Sequence, residues 1–212
     1  MITLFTHGTP NGHKIAIALE ALRQPYEITL VDIFAGAGQA PGFLAISPAG
    51  KIPAIVDRDN GRAVYESNAI LRYLAAKAGA LWPTEDAERT EADALLFLQA
   101  SLQGPMFGQR AHFAMFAPET VPYGIKRYDE QGATTDQICE RLLTGRDYFL
   151  ASGYSIVDIS FFGWYYAAKR SGYFDRSLPQ LTAWFDRVEA RPEVHPGIHR
   201  TPVFELPPRK RL

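Results

Sequence analysis

Strand, helix and strand patterns follow one another within the first thirty residues, and no other feature constrains the fold as tightly. Ile2 to Thr6 is a short apolar run suited to a buried strand, and His7-Gly8-Thr9-Pro10-Asn11-Gly12 is a dense cluster of turn formers. Ile15, Ala18, Leu19 and Leu22 recur at helical spacing and predict a helix over about 11–22. Gln24-Pro25 closes it, because proline disfavours a helical residue before it. Tyr26, Ile28 and Leu30 alternate with Glu27 and Thr29, the period of a half-buried strand. A βαβ unit this short implies parallel strands joined by a right-handed crossover.

Residues 33–50 are rich in Gly, Ala and Pro and predict a loop with at most one short helix. Ile52-Pro53-Ala54-Ile55-Val56-Asp57 reads as the next strand, Asp59-Asn60-Gly61 as a hairpin turn, and Arg62 to Tyr65 as the returning strand. Glu66-Ser67 opens a helix carrying Ile70, Leu71, Leu74 and Ala78, with Gly79 as its stop. The order β-α-β, loop, β-β-α is that of a thioredoxin-like domain, expected over residues 1–79.

Residues 80–84 read as a linker, and from Glu85 onward only helical signals remain. An all-helical domain is therefore expected over 85–205, making the chain α+β and then all-α, with a basic tail over 206–212. Gly104-Pro105 is expected to break or kink the first of these helices. A second should start after Pro122, weakened at Gly132 by about 1 kcal/mol relative to alanine. Ser155-Ile156-Val157-Asp158 resembles a capping box, and a last helix follows Pro179. The tail reads as a solvated, frayed end.

The charge balance excludes some partners. With 22 basic and 23 acidic residues the net charge is -1, which argues against nucleic acid and against an anionic membrane surface. No apolar run approaches the ~18 residues of a membrane span. No secretory leader is expected after Met1, and a lone cysteine, Cys139, fits a reducing cytoplasm. No metal site is expected: His195 and His199 have an i, i+4 spacing, but Pro196 and Gly197 between them argue against a helix that would align them.

Three features of the first domain carry chemistry, and each also has a plain structural reading. Thr9-Pro10-Asn11-Gly12 sits where strand gives way to helix, a place that favours an anion; ordinary helix capping explains it as simply. Lys51-Ile52-Pro53 leads into a strand, where proline marks an edge, a turn or a cis bond that could pair with an extended peptide. Glu66-Ser67 offers an acceptor for an amino group and donors for a carboxylate, or again a helix cap.

Together these residues resemble the cytosolic glutathione transferases over essentially the whole chain, including a segment, Tyr154-Ser155-Ile156-Val157-Asp158-Ile159, similar to the family's capping motif. Thr9-Pro10-Asn11-Gly12-His13-Lys14-Ile15, Ile46-Ser47-Pro48, Lys51 to Asp57, and the stretch from Gly104-Pro105-Met106 to Ile125-Lys126-Arg127-Tyr128 are similar to the bacterial nu class, which includes glutathione-dependent disulfide-bond reductases. The resemblance implies that Thr9 and Asn11 hydrogen-bond the glutathione sulfur and that Ile52, held by a cis Pro53, pairs with the cysteinyl unit. It implies further that Glu66 and Ser67 take the γ-glutamyl end, that Gln39 and Lys51 lie near the glycyl end, that Arg127 approaches the ligand, and that the protein is a homodimer. The alanine-rich loop 35–41 and Gly132-Ala133-Thr134-Thr135 depart from the family pattern and bear on the shape of the second-substrate pocket.

The first domain holds no cysteine, so the reactive sulfur is expected to belong to glutathione, in its thiol or disulfide form. The implied reaction is attack of the bound thiolate on a disulfide, with a second glutathione resolving the mixed disulfide. Conjugation to electrophiles or peroxide reduction is the nearest alternative, and a non-enzymatic glutathione-binding or regulatory module is another.

Overall fold

The structure, a computed structural model, describes residues 1–202 and 206–210. Strands β1 (Ile2–Thr6), β2 (Tyr26–Leu30), β3 (Ala54–Asp57) and β4 (Arg62–Tyr65) form one sheet in the order β2-β1-β3-β4. β1 runs parallel to β2, with Leu4 opposite Ile28, and antiparallel to β3, with Leu4 opposite Ile55. This is the expected thioredoxin-like arrangement. β2 lies at the edge, so its alternation buries little: Leu30 is 53% exposed.

Helix α1 (Pro10–Ala21) crosses from β1 to β2, α2 (Pro41–Leu44) is a single turn in the loop, and α3 (Ser67–Ala78) ends on Gly79 at φ 66°. The stop is the αL cap that glycine adopts without Cβ strain. The helical half comprises α4 (Asp86–Leu98), α5 (Gly104–Ala111), α6 (Pro122–Leu142), α7 (Ile156–Arg170), α8 (Pro179–Glu189) and α9 (Val194–His199). No described helix is long and apolar enough to cross a membrane.

One apolar core joins the two halves. Ile15, Ile17 and Leu19 of α1 share it with Ile156, Phe161 and Phe162 of α7 and Trp184 and Phe185 of α8, all with no exposed surface. The residue where α7 meets the start of α1 is Gly163: a Cβ there would stand 2.5 Å from the Pro10 carbonyl oxygen. The α7 N-terminus carries the expected capping box, with buried Asp158 accepting from Ser155 N at 2.9 Å, Phe149 N at 3.1 Å and the Trp184 indole at 2.8 Å. Burial pushes the Asp158 carboxyl up to about 6 against the pull of these donors.

Several expectations need correction or refinement. Gly104-Pro105 marks an interruption of the regular α-helix without ending the helical run: a π-helical turn over Gln99–Gln103 joins α4 to α5, with Pro105 in the first turn of α5. The reading of Gly132 is extended and not overturned: it lies within α6 and is also a close-approach site, since a Cβ would fall 2.8 Å from an Arg110 guanidinium nitrogen. Residues 194–199 do form a helix, because Pro196 falls in its first turn, and the His195 and His199 rings stack at 4.0 Å. Among the described residues, no group of three or more His, Cys, Asp or Glu is placed to hold a metal.

A further correction concerns the tail, which is docked over 206–210. The Lys210 amide donates to Ala114 O at 2.8 Å and its Nζ to Glu119 O at 2.6 Å. Arg209 lies 4.2 Å over the Tyr173 ring and donates to Gly172 O. The expected boundary at 205, and residues 211–212, lie outside the described residues.

Candidate functional site

Two cavities flank the N-terminus of α1 and share Trp164 as a wall. The first, of about 370 Å³, is lined by the polar residues Asn11, Ser47, Lys51, Glu66, Ser67, Gln99 and Gln109, together with Ile52, Pro53, Ala100, Gly104 and Pro105. The second, of about 240 Å³, is walled by apolar groups, among them Phe34, Phe107, Met115, Phe116, Tyr173 and Leu206. Arg110 reaches its edge from an ion pair with Asp129.

Six of the nine residues nominated from the sequence therefore line one cavity: Asn11, Lys51, Ile52, Pro53, Glu66 and Ser67. Thr9 lines the adjoining apolar one. Gln39 lines neither but lies against Gly50, next to Lys51, since a Cβ on Gly50 would stand 2.6 Å from the Gln39 amide nitrogen. Arg127 stands exposed on α6 and lines neither cavity.

Thr9 is the N-cap of α1, and its Oγ1 accepts from Gly12 N at 3.3 Å. A hydroxyl used as an acceptor keeps its own hydrogen to donate, so capping and ligand binding are compatible. Asn11 is oriented from the other half of the chain, its Oδ1 accepting the Trp164 indole N–H at 3.0 Å. An indole only donates, so the amide oxygen must face it, and Asn11 is left with its NH2 group as free donor. Donors at a helix N-terminus suit an anion.

On the opposite wall the Ile52-Pro53 bond is cis. The β3 ladder begins at Ala54, which leaves the Ile52 N–H and C=O outside it. The buried Ser47 hydroxyl donates to Lys51 O at 2.8 Å and fixes this segment. Glu66 precedes α3 at φ 67°, ψ 118°, a region that non-glycine residues rarely occupy, and its side chain makes no capping bond. Strain at a cavity wall is consistent with a binding role.

The sequence reading missed Lys14, Gln99 and Trp164. Lys14 is 1% exposed; its Nζ donates to Gln99 Oε1 at 2.8 Å and to Ser67 Oγ at 3.4 Å. Burial pushes its pKa down to about 7, and the Glu66 carboxylate pulls the other way. Gln99 is held in turn by Asn68 and Ser160 at 3.1 Å each and by Gln103. A signal was present: Lys14 falls on the same face of α1 as Ala18, one helical turn along the apolar stripe. The adjacent His13 is buried and pushed down to about 4, by burial first and then by Arg170 and His199. Cys139 is 1% exposed, with burial pushing its thiol up to about 12, so it is no nucleophile.

Residues 9–77 match the family description "Glutathione S-transferase, N-terminal domain", and residues 125–192 match "Glutathione S-transferase, C-terminal domain". The Escherichia coli protein named disulfide-bond oxidoreductase YfcG is 39% identical, over 91% of this chain and 92% of that protein. A glutathione transferase homologue from Lodderomyces elongisporus, solved with two glutathione molecules per subunit, superposes with a TM-score of 0.91 at 32% identity, covering 95% of this chain and 99% of that one. A glutathione transferase from Pseudomonas putida, solved with one glutathione disulfide per subunit, gives 0.85 at 32% identity, covering 93% and 90%.

Proposed function

This chain belongs to the glutathione S-transferase family, and from that premise we propose that it is a glutathione-dependent disulfide-bond reductase. The observation that carries the reading is Asn11, which lines the polar cavity with its Oδ1 taken up by Trp164 and its NH2 group left to donate, while the chain's one thiol is buried. Such a site supplies donors for a sulfur anion and no sulfur of its own.

The cavity chemistry fits the tripeptide. Glu66 and Ser67 at the start of α3 match an amino-acid head group, with the carboxylate taking the ammonium and the helix N-terminus the α-carboxylate. The unpaired backbone of Ile52 matches an extended peptide unit. Lys51, with Gln39 behind it, matches the terminal carboxylate. Arg127 belongs to this reading only if its exposed side chain folds in from α6.

Glutathione enters as a substrate: two tripeptide thiols become one tripeptide disulfide, and the target disulfide takes up two electrons and two protons and leaves as two thiols. Thr9 and Asn11 hold the attacking sulfur as an anion. Lowering a thiol pKa of ~8.5 by about two units requires about 2.7 kcal/mol, the scale of one or two charge-assisted hydrogen bonds. Trp164 lines both cavities, so a sulfur held between Thr9 and Asn11 lies at their junction, within reach of a second substrate in the apolar one. The apolar, aromatic lining of that cavity also favours a second reading, conjugation to an aromatic electrophile at the same thiolate. The proposal includes a cytoplasmic homodimer, which would cover Phe97, 74% exposed on α4.

Steady-state turnover of a small disulfide and of a chlorinated aromatic, with glutathione as co-substrate, tests the proposal. Disulfide reduction is expected to dominate and to fall strongly in Asn11→Ala and Thr9→Ala. Turnover confined to the aromatic establishes the conjugating reading, and unchanged turnover in both variants removes the site assignment.

A further inference from the structure

Lys14 is a titratable amine in the core of the protein with no carboxylate at ion-pair distance, Glu66 acting on it only from farther off. None of the ion pairs among the described residues includes it, and its Nζ has only neutral partners, Gln99 Oε1 and Ser67 Oγ. The stem passes under α7 at Gly163, where a Cβ would meet Lys14 Cγ at 3.0 Å. The receiving amide cannot turn its nitrogen toward Lys14 cheaply, because Gln99 Nε2 donates to Gln103 Oε1 and Gln103 donates to Phe161 O, both at 3.2 Å. A buried unpaired charge is costly, and burying one beside a ligand cavity is most easily understood if the ligand supplies the missing charge.

Ser67 stands between the two. Its hydroxyl accepts from Lys14 on one side and lines the polar cavity on the other, at the first residue of α3. A hydroxyl that accepts from an ammonium must direct its own hydrogen elsewhere, and the cavity side is where an acceptor would be. Facing Lys14 are Ser67, with Glu66 beside it, at the start of α3, Gln99 from the π-helical turn and the Gly163 backbone of α7. Glu66 is the charged group among them, and His13 beside it on α1 is held neutral by burial.

We propose that Lys14 is the buried counter-charge for the α-carboxylate of the γ-glutamyl end of glutathione, acting through Ser67 as a positioning residue, and that binding this carboxylate draws a proton onto Lys14. This rests on the glutathione reading above. Before binding, burial pushes the amine down to about 7, so it is only partly protonated around neutral pH. A carboxylate one hydroxyl away favours the charged form, so the amine that was partly neutral takes up a proton as the ligand arrives. Lys14 thus contributes to affinity most below about 7 and progressively less as pH rises.

The experiment is calorimetric titration with S-methylglutathione, whose blocked sulfur does not titrate, at pH values between about 6 and 8.5 and in buffers of differing ionisation heat. Wild-type protein is expected to take up a substantial fraction of a proton per ligand near pH 7.5, and Lys14→Met to take up none of that increment. The ligand's own ammonium titrates alike in both proteins, so the difference isolates Lys14. Lys14→Met is expected to bind S-methylglutathione about tenfold more weakly near pH 6.5, and to bind the 4-aminobutyryl analogue, which lacks the α-carboxylate, as the wild type does. Methionine keeps the length of the stem and needs no partner, and the proton uptake is measured on the unaltered chain as well. Wild-type binding with no proton uptake, or matched affinities in Lys14→Met, overturns the role of Lys14 while leaving the glutathione site standing. Failure of the wild type to bind the probe at all overturns both.

Discussion

The indole N–H of Trp164 donates to Oδ1 of Asn11 at 3.0 Å, tying α7 to the first turn of α1 across 153 residues of sequence. The helical half thereby decides which end of an amide faces the cavity in the sheet half. Removing the donor should free that amide to rotate and present oxygen to an anion. Trp164→Phe is expected to lower kcat/KM for disulfide reduction about 3- to 10-fold, the value of one neutral hydrogen bond, with Asn11→Ala lower still. Steady-state kinetics on the two variants and their double mutant check this. The double mutant should be little worse than Asn11→Ala, because one interaction is being removed twice.

Glu66 separates stability from binding. Its positive φ costs about 1 kcal/mol or more, which glycine would relieve, offset in part by the freedom glycine adds to the unfolded chain. Glu66→Gly should therefore melt at the same temperature or higher. It should also lose about 10- to 100-fold in glutathione affinity, if the carboxylate holds the ligand ammonium with a charge-assisted bond. Thermal melts and calorimetry on the same preparation give both numbers.

Lys14 makes the stability of the ligand-free protein depend on pH in a definite direction. Its amine titrates near 10.4 when unfolded and at about 7 when folded, so between these values the unfolded chain binds the extra proton. The cost of burying Lys14 is thus full below about 7 and is progressively relieved as pH rises above it. Lys14→Met should be more stable than the wild type, by a margin that is widest near pH 6 and narrows toward pH 9. Urea denaturation of both proteins across that range measures the margin, and taking the difference cancels other titrating groups such as Cys139.

Asp158 tests the fold apart from the site. It holds four donor contacts at the start of α7 and lines neither cavity. Asp158→Ala should cost about 3 kcal/mol or more, since it removes a cap and leaves the Trp184 indole and two backbone N–H groups buried without partners. Glutathione affinity, measured well below the melting temperature, should change little.

What was legible in the sequence was what local spacing encodes. The Ile15, Ala18, Leu19 stripe, the Asp59-Asn60-Gly61 turn, the Gly79 stop and the Ser155–Asp158 cap each follow from interactions within a few residues, and each is present in the structure. The cluster of Asn11, Lys51, Ile52, Glu66 and Ser67 was legible because all lie where strands hand over to helices in a familiar order. What local spacing does not encode is contact across the two halves. Trp164 on Asn11 and Gln99 on Lys14 join residues 153 and 85 apart, and Gly132 makes room for Arg110 from another helix. The reading of Pro196 failed for a related reason: whether a proline breaks a helix depends on where the turn begins, which tertiary packing sets.

The central claim is that the first turn of α1 holds a ligand's sulfur as an anion. Ultraviolet titration of the thiolate in the glutathione complex measures that directly, on the wild type and on Asn11→Ala. The expected result is a bound thiol at least about one unit below the ~8.5 of a free one in the wild type, returning most of the way in the variant. A bound thiol that ionises as it does in water, or one depressed equally in both proteins, would contradict the claim.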